Sequence, residues 1–171
     1  MTAMLIISSL EGACRAFADY EPARVISLLS GEDSLPCFDG LARDRHLQLY
    51  VELESSGGAI DAAARRRAVE VVRFVRSWDG EGDILIHCNR GVSRSTAAAF
   101  VVMCMRAPEV DEGVLAAALR KAAPFADPCP LLVSYADEIL GRDGRMIEAI
   151  EDLPPPLTAI TAPVTTLPLV A

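Results

Sequence analysis

Residues 84–95 read ILIHCNRGVSRS, and the reading of this stretch decides the fold. Ile84, Leu85 and Ile86 make a short apolar run of the kind that fills a buried strand. His87 to Ser93 is small and polar, and from Arg94 and Ser95 the chain enters TAAAFVV, which reads as a buried helix. Strand, tight loop and helix in that order point backbone N–H groups and a helix N-terminus at one spot, which suits an anion. Cys88 opens the loop, where the same field stabilises negative charge on sulfur. Arg94, six residues further on, can turn back and grip two oxygens of a phosphate at once. One short segment therefore carries a nucleophile, an anion cradle and a cationic clamp.

Working outward, Met4–Ser8 and Val25–Leu29 read as two further buried strands. Between them, residues 10–19 have helical spacing at Leu10, Cys14 and Phe17, ended by Pro22. Glu32 to Arg45, punctuated by Pro36 and Gly40, reads as a loop with at most one short helix, and His46–Val51 as a third strand. A helix follows over about 61–78. Its apolar face is Ile60, Ala64, Ala68, Val71, Val72, Val75 and Trp78, and Arg65, Arg66 and Arg67 lie largely opposite as a solvated basic face. Downstream, Asp111 caps a helix running to about Ala123, Pro124, Pro128 and Pro130 stiffen a connection, and 131–140 and 145–150 read as helices. After the loop the chain is thus expected to be all helical. Residues 1–152 are expected to form the domain, and the Pro-rich stretch 153–171 to be either a disordered tail or an extended arm laid on it. The alternation implies an α/β fold: a mostly parallel sheet of four to five strands flanked by helices, with the loop at the C-terminal end of a central strand.

At 171 residues and 51% hydrophobic content, the chain is long enough for one well-cored domain. A net charge of −8 argues against general binding to nucleic acid or to an anionic membrane. The five cysteines have no paired spacing, so neither a disulfide framework nor a zinc site is expected, and Cys14, Cys37, Cys104 and Cys129 read as small, mostly buried apolar residues. The N-terminal apolar run, Met4 to Ile7, is too short for a signal peptide or a membrane span, so a cytoplasmic protein is expected.

The pattern His-Cys-x2-Gly-x2-Arg-Ser, present as HCNRGVSRS, resembles the signature loop of the cysteine-dependent protein tyrosine phosphatases, in particular their small bacterial and dual-specificity branches. The likeness extends over about Met4 to Ile150. It implies a phosphomonoester hydrolase of phosphotyrosine or dual-specificity protein substrates, or of a small phosphomonoester, with a phosphocysteine intermediate and no metal or other cofactor. Cys88 is then the nucleophile, and Arg94 binds two non-bridging oxygens. Asn89, Arg90, Gly91, Val92 and Ser93 supply mainly backbone N–H groups. The resemblance also implies that Ser95 donates to the Cys88 sulfur and that His87 orients the loop. Such enzymes use an aspartate before the preceding long helix as general acid. Here that loop reads ELESSGG, without aspartate. Glu54 is the expected acid, with Glu52 and Asp61 as alternatives. His46 reads as structural.

Three other readings follow from the same residues. A lipid or inositol phosphate substrate would use the extra charge of Arg90. A rhodanese-like sulfur transfer loop has four residues between cysteine and arginine, against five here. A phosphatase fold that binds phosphate but turns over poorly would account for the missing aspartate.

Overall fold

The computed structural model describes residues 2–51 and 58–169. Strand β1 (Met4–Ser9) leads through helix α1 (Leu10–Tyr20) to β2 (Arg24–Ser30), and a 3-10 turn at Arg43–Arg45 precedes β3 (His46–Val51). Helix α2 (Gly58–Arg76) then leads into β4 (Ile84–Cys88), followed by α3 (Arg94–Arg106), α4 (Glu112–Ala122), α5 (Pro130–Leu140), α6 (Arg145–Glu151) and β5 (Thr165–Pro168). The sheet order is β3-β2-β4-β1-β5; the first four strands are parallel and β5 is antiparallel to β1.

Alternation along the strands divides the molecule into layers. Leu5, Ile7, Ile26, Leu28, Ile84, Ile86 and Cys88 face the larger core beneath α2 to α6. Ile6, Val25 and Leu85 face a smaller core formed with Ala13 and Ala16 of α1 and with Phe38. The central strands are buried on both faces, which is why they read as continuous apolar runs rather than alternating ones. Helix α3 is buried from Ser95 to Cys104, so its Ala-rich sequence answers close packing on all sides. Truncation of fully buried Phe100 to Ala would cost about 3–5 kcal/mol.

The chain leaves β1 toward α1 and leaves the adjacent β4 toward α3, on opposite faces of the sheet. The C-terminal ends of these neighbouring strands therefore diverge and open a crevice, the usual ligand position in a sheet of this type.

Three expectations are corrected. The chain after the loop is not all helical, because Thr165–Pro168 forms β5 against β1, in register from Met4↔Pro168 to Ile7↔Thr165. A strand of four residues containing a proline gives almost no sequence signal, and an edge position tolerates the proline. Helix α2 begins at Gly58, before Asp61. Cys14 and Cys37 are exposed rather than buried, Cys14 on the outer side of α1 and Cys37 in the loop after β2.

Between α6 and β5 the chain is pinned at several points. Arg120 of α4 donates to the carbonyl of Pro154 and to that of Ala126 (2.8 Å), and the Leu157 N–H donates to the Pro124 carbonyl (2.9 Å). Beyond β5, the Leu169 N–H donates to the Ala3 carbonyl (2.8 Å). No helix among the described residues is long and apolar enough to cross a membrane.

Candidate active site

Cys88 is the last residue of β4 and is only 2% exposed. The pleat turns its side chain toward α3, into the base of a cleft of about 390 Å3 lined by Ser30, Asp33, Asn89, Ser93 and Arg94 among others. Two groups address its sulfur. The Ser95 hydroxyl lies 3.1 Å from Sγ, and the Gly91 backbone N–H donates to Sγ at 3.2 Å.

The loop between Cys88 and Arg94 is fastened by its carbonyls. The Asn89 carbonyl accepts from the Leu10 N–H (3.0 Å), and the Arg90 carbonyl accepts from the Ala162 N–H (2.8 Å). The Val92 carbonyl accepts from the Asp127 N–H (2.9 Å) and the Thr96 hydroxyl (2.6 Å), and the Ser93 carbonyl accepts from Ala97 N–H (2.9 Å). The backbone N–H groups of Arg90, Val92, Ser93 and Arg94, by contrast, donate to no acceptor among the described residues. Gly91 makes the geometry possible. Its φ is +74°, and a Cβ there would lie 2.8 Å from the Ser9 nitrogen and 2.9 Å from the Ser8 carbonyl carbon. Only glycine combines this conformation with so close an approach to the end of β1.

Arg94, at the start of α3, donates through one Nη to Ser30 Oγ at 3.1 Å. Ser30 is held in turn by Asp33, whose carboxylate accepts from the Ser30 N–H (2.7 Å) and from the Asn89 side-chain amide (2.7 Å). Asp33 thus ties the end of β2 to the start of the loop, beside Arg94. Burial works to raise its carboxyl, but the Ser30 N–H, the Asn89 amide, the Arg94 charge and the Ser30 hydroxyl outweigh burial and hold it below the ordinary carboxylate value. It is a fixed carboxylate at neutral pH and a poor proton donor. Sequence reading placed nothing at Asp33; its one signal was a polar run directly after a buried strand.

The backbone of Arg90 belongs to the loop, but its side chain turns away. The guanidinium donates to the carbonyls of Ala159 (2.6 Å) and Ile160 (2.7 Å) and so holds the C-terminal segment against the loop. Two of the N–H donors expected to serve a ligand are committed to this contact.

His87 points to the α1 side of the sheet, opposite Cys88. Its Nε2 lies 2.6 Å from Ser27 Oγ, and that hydroxyl also lies 2.8 Å from His46 Nε2, so one serine links two histidines across three adjacent strands. Phe38 packs on both rings. Burial pushes the His87 imidazole down to about 4, aided by His46 and opposed by Asp33 and the Cys88 backbone. His87 is therefore neutral at physiological pH and acts through position. His46 takes the structural place expected of it.

Cys88, Ser95, Gly91, Arg94 and the loop amides are thus brought together. Asp61 is not among the residues lining the cleft; it lies in the first turn of α2, beside Tyr135. Glu52 and Glu54 lie outside the described residues.

No family model matches the sequence, and no curated protein matches it. Solved structures do. DUSP15 aligns at a TM-score of 0.58 and 16% identity, over 88% of this chain and 92% of its own. Human DUSP28 aligns at 0.53 and 21% identity, over 78% of this chain and 86% of its own. The Cydia pomonella PTP-2 phosphatase aligns at 0.55 and 18% identity, over 81% and 90%. At these identities the likeness is one of fold: the chain shares the architecture of these solved phosphatase structures.

Proposed function

We propose that the chain is a phosphomonoester hydrolase that works through a phosphocysteine intermediate, acting on phosphotyrosine or on dual-specificity protein substrates. The observation that carries this reading is the convergence on one cleft of Cys88 Sγ, the Ser95 hydroxyl, the Gly91 N–H and the Arg94 guanidinium, with four loop N–H groups unoccupied. In the first step the thiolate attacks phosphorus, the bond from phosphorus to the ester oxygen breaks, and that oxygen takes a proton. Arg94 and the loop amides hold the three equatorial oxygens as charge redistributes. In the second step water attacks the phosphocysteine, the P–S bond breaks and inorganic phosphate leaves. Ser95 then donates toward the departing sulfur.

The proton for the leaving oxygen comes, in this reading, from Glu54. A general acid matters most for a poor leaving group. Glu54→Gln should therefore slow hydrolysis of a phosphotyrosine peptide far more than that of an activated aryl phosphate. Equal effects would move the role to Asp61 or Glu52. No metal takes part, and the cytoplasm, where a thiol stays reduced, is the fitting compartment. A protein phosphoester is favoured over an inositol polyphosphate because the Arg90 side chain is committed to two carbonyls.

The deciding experiment compares wild type with Cys88→Ser on an aryl phosphate. The variant should lose turnover while keeping affinity for phosphate, because the amides and Arg94 remain. A variant that binds phosphate and still turns over at the wild-type rate would refute the mechanism.

A further inference from the structure

We propose that the mouth of the Cys88 cleft selects phosphorylated protein segments whose flanking residues are basic, through an acidic rim formed by Glu32 and Asp127. This deepens the hydrolase reading and rests on it. The charges around the cleft can be followed one at a time. Its lining contains two cations, Arg90 and Arg94, and three carboxylates, Glu32, Asp33 and Asp127. Arg90 is turned onto the carbonyls of Ala159 and Ile160. Arg94 is the phosphate clamp. Asp33 is occupied on both oxygens, by Asn89 and by the Ser30 N–H.

Glu32 and Asp127 are left over. Each is exposed, and the side chain of neither makes a hydrogen bond or ion pair among the described residues. Their backbones are nonetheless fixed to the site. Glu32 sits inside the turn closed by the Asp33 N–H on the Ser30 carbonyl (2.9 Å), and the Asp127 N–H donates to the loop carbonyl of Val92 (2.9 Å). Two elements from different parts of the chain thus present a free carboxylate at the same opening.

A phosphoryl group that passes this rim reaches Arg94 and the loop amides and is held. Any further negative charge on the same substrate stays at the rim, where Glu32 and Asp127 repel it. Positive charge on either side of the phosphorylated residue is attracted there. Such a rim acts mainly on encounter and on specificity, and salt screens it. The overall charge of −8 adds to the field in the same direction.

The test uses two phosphotyrosine peptides of equal length, one with arginines and one with glutamates beside the phosphorylated residue. The readout is the ratio of their kcat/KM values, which cancels any change in the chemistry they share. Wild type should favour the arginine peptide by about tenfold or more at low ionic strength, and less as salt is added. The Glu32→Gln/Asp127→Asn double variant should bring the ratio close to unity. Equal values in wild type, or a preference that survives both neutralisations, would overturn the proposal. Faster hydrolysis of a multiply phosphorylated inositol lipid in vesicles than of the arginine peptide would also overturn it. Failure to hydrolyse even an activated aryl phosphate would count against the hydrolase reading instead. The affinities of the same two peptides, measured by calorimetry, then decide the rim in the same sense, and binding of neither would overturn it.

Discussion

The two sides of the loop from Cys88 to Arg94 are built in opposite ways. On the outer side four of the loop's carbonyls are held. Carbonyls of Asn89, Arg90, Val92 and Ser93 are held by Leu10, Ala162, Asp127, Thr96 and Ala97, which belong to four separate parts of the chain. On the inner side the donors are free, apart from the Gly91 N–H on the Cys88 sulfur. A loop whose carbonyls are clamped outward cannot easily turn them inward. The difference teaches that the inner ring of N–H groups is set in place by the fold before any anion arrives, so little reorganisation is left for the ligand to drive.

The largest expected effect breaks the inner side. Arg94→Lys keeps the charge but loses the planar two-point grip, and kcat/KM on an aryl phosphate should fall by about 10²–10³-fold, with weaker phosphate binding. Near-normal kinetics would mean that Arg94 is not the clamp. Next in size is Gly91→Ala, which strikes the seam between the two sides. With φ at +74° and a Cβ 2.8 Å from the Ser9 nitrogen, the loop must shift. A loss of about 2 kcal/mol or more is expected in chemical denaturation, with a parallel loss of activity. An unchanged denaturation midpoint would show that the close approach to β1 does not matter.

The inner side was legible in the sequence because its chemistry is local. Cys88, Gly91, Arg94 and Ser95 lie within one segment, and strand and helix signals flank it directly. The sheet was legible for a similar reason: the buried runs at Met4, Val25 and Ile84 announce strands wherever they end up. The outer side was hidden because its contacts are made at a distance. Nothing near Arg90 in sequence says that its guanidinium will meet carbonyls some seventy positions later. Nothing in the polar run after β2 says that Asp33 will join Ser30 to Asn89. The strand at Thr165–Pro168 exists only because β1 offers it an edge.

Smaller effects sharpen the comparison from the outside. Arg90→Ala removes two hydrogen bonds to the C-terminal segment and should lower stability by about 1–2 kcal/mol, with faster amide exchange at Ala162. Its effect on aryl phosphate hydrolysis should stay below about tenfold, because the Arg90 guanidinium is held on the Ala159 and Ile160 carbonyls. A loss as large as that of Arg94→Lys would mean that the outer clamp contributes directly to the inner side.

The effect furthest from the chemistry is a pH dependence beneath the loop. The folded His87 titrates near 4, against 6.5 for a free imidazole, so the unfolded chain takes up the proton first as pH falls. Its contribution is intact above about pH 6.5 and is lost progressively down to about pH 4, at most about 3 kcal/mol. Asp33, held low as well, adds a loss in the same direction at more acidic pH. Denaturation midpoints measured across this range should fall toward acid, less steeply in His87→Gln. A slope identical in the two proteins would remove His87 from the account.

The central claim is that Cys88 carries the phosphoryl group during turnover. Rapid quench of the reaction with a labelled aryl phosphate, followed by peptide mapping, tests it most directly. The account predicts label on the peptide containing Cys88, and more of it in Ser95→Ala, where the phosphocysteine breaks down more slowly. Turnover with no label on Cys88 in either protein, or with label on another residue, would contradict it.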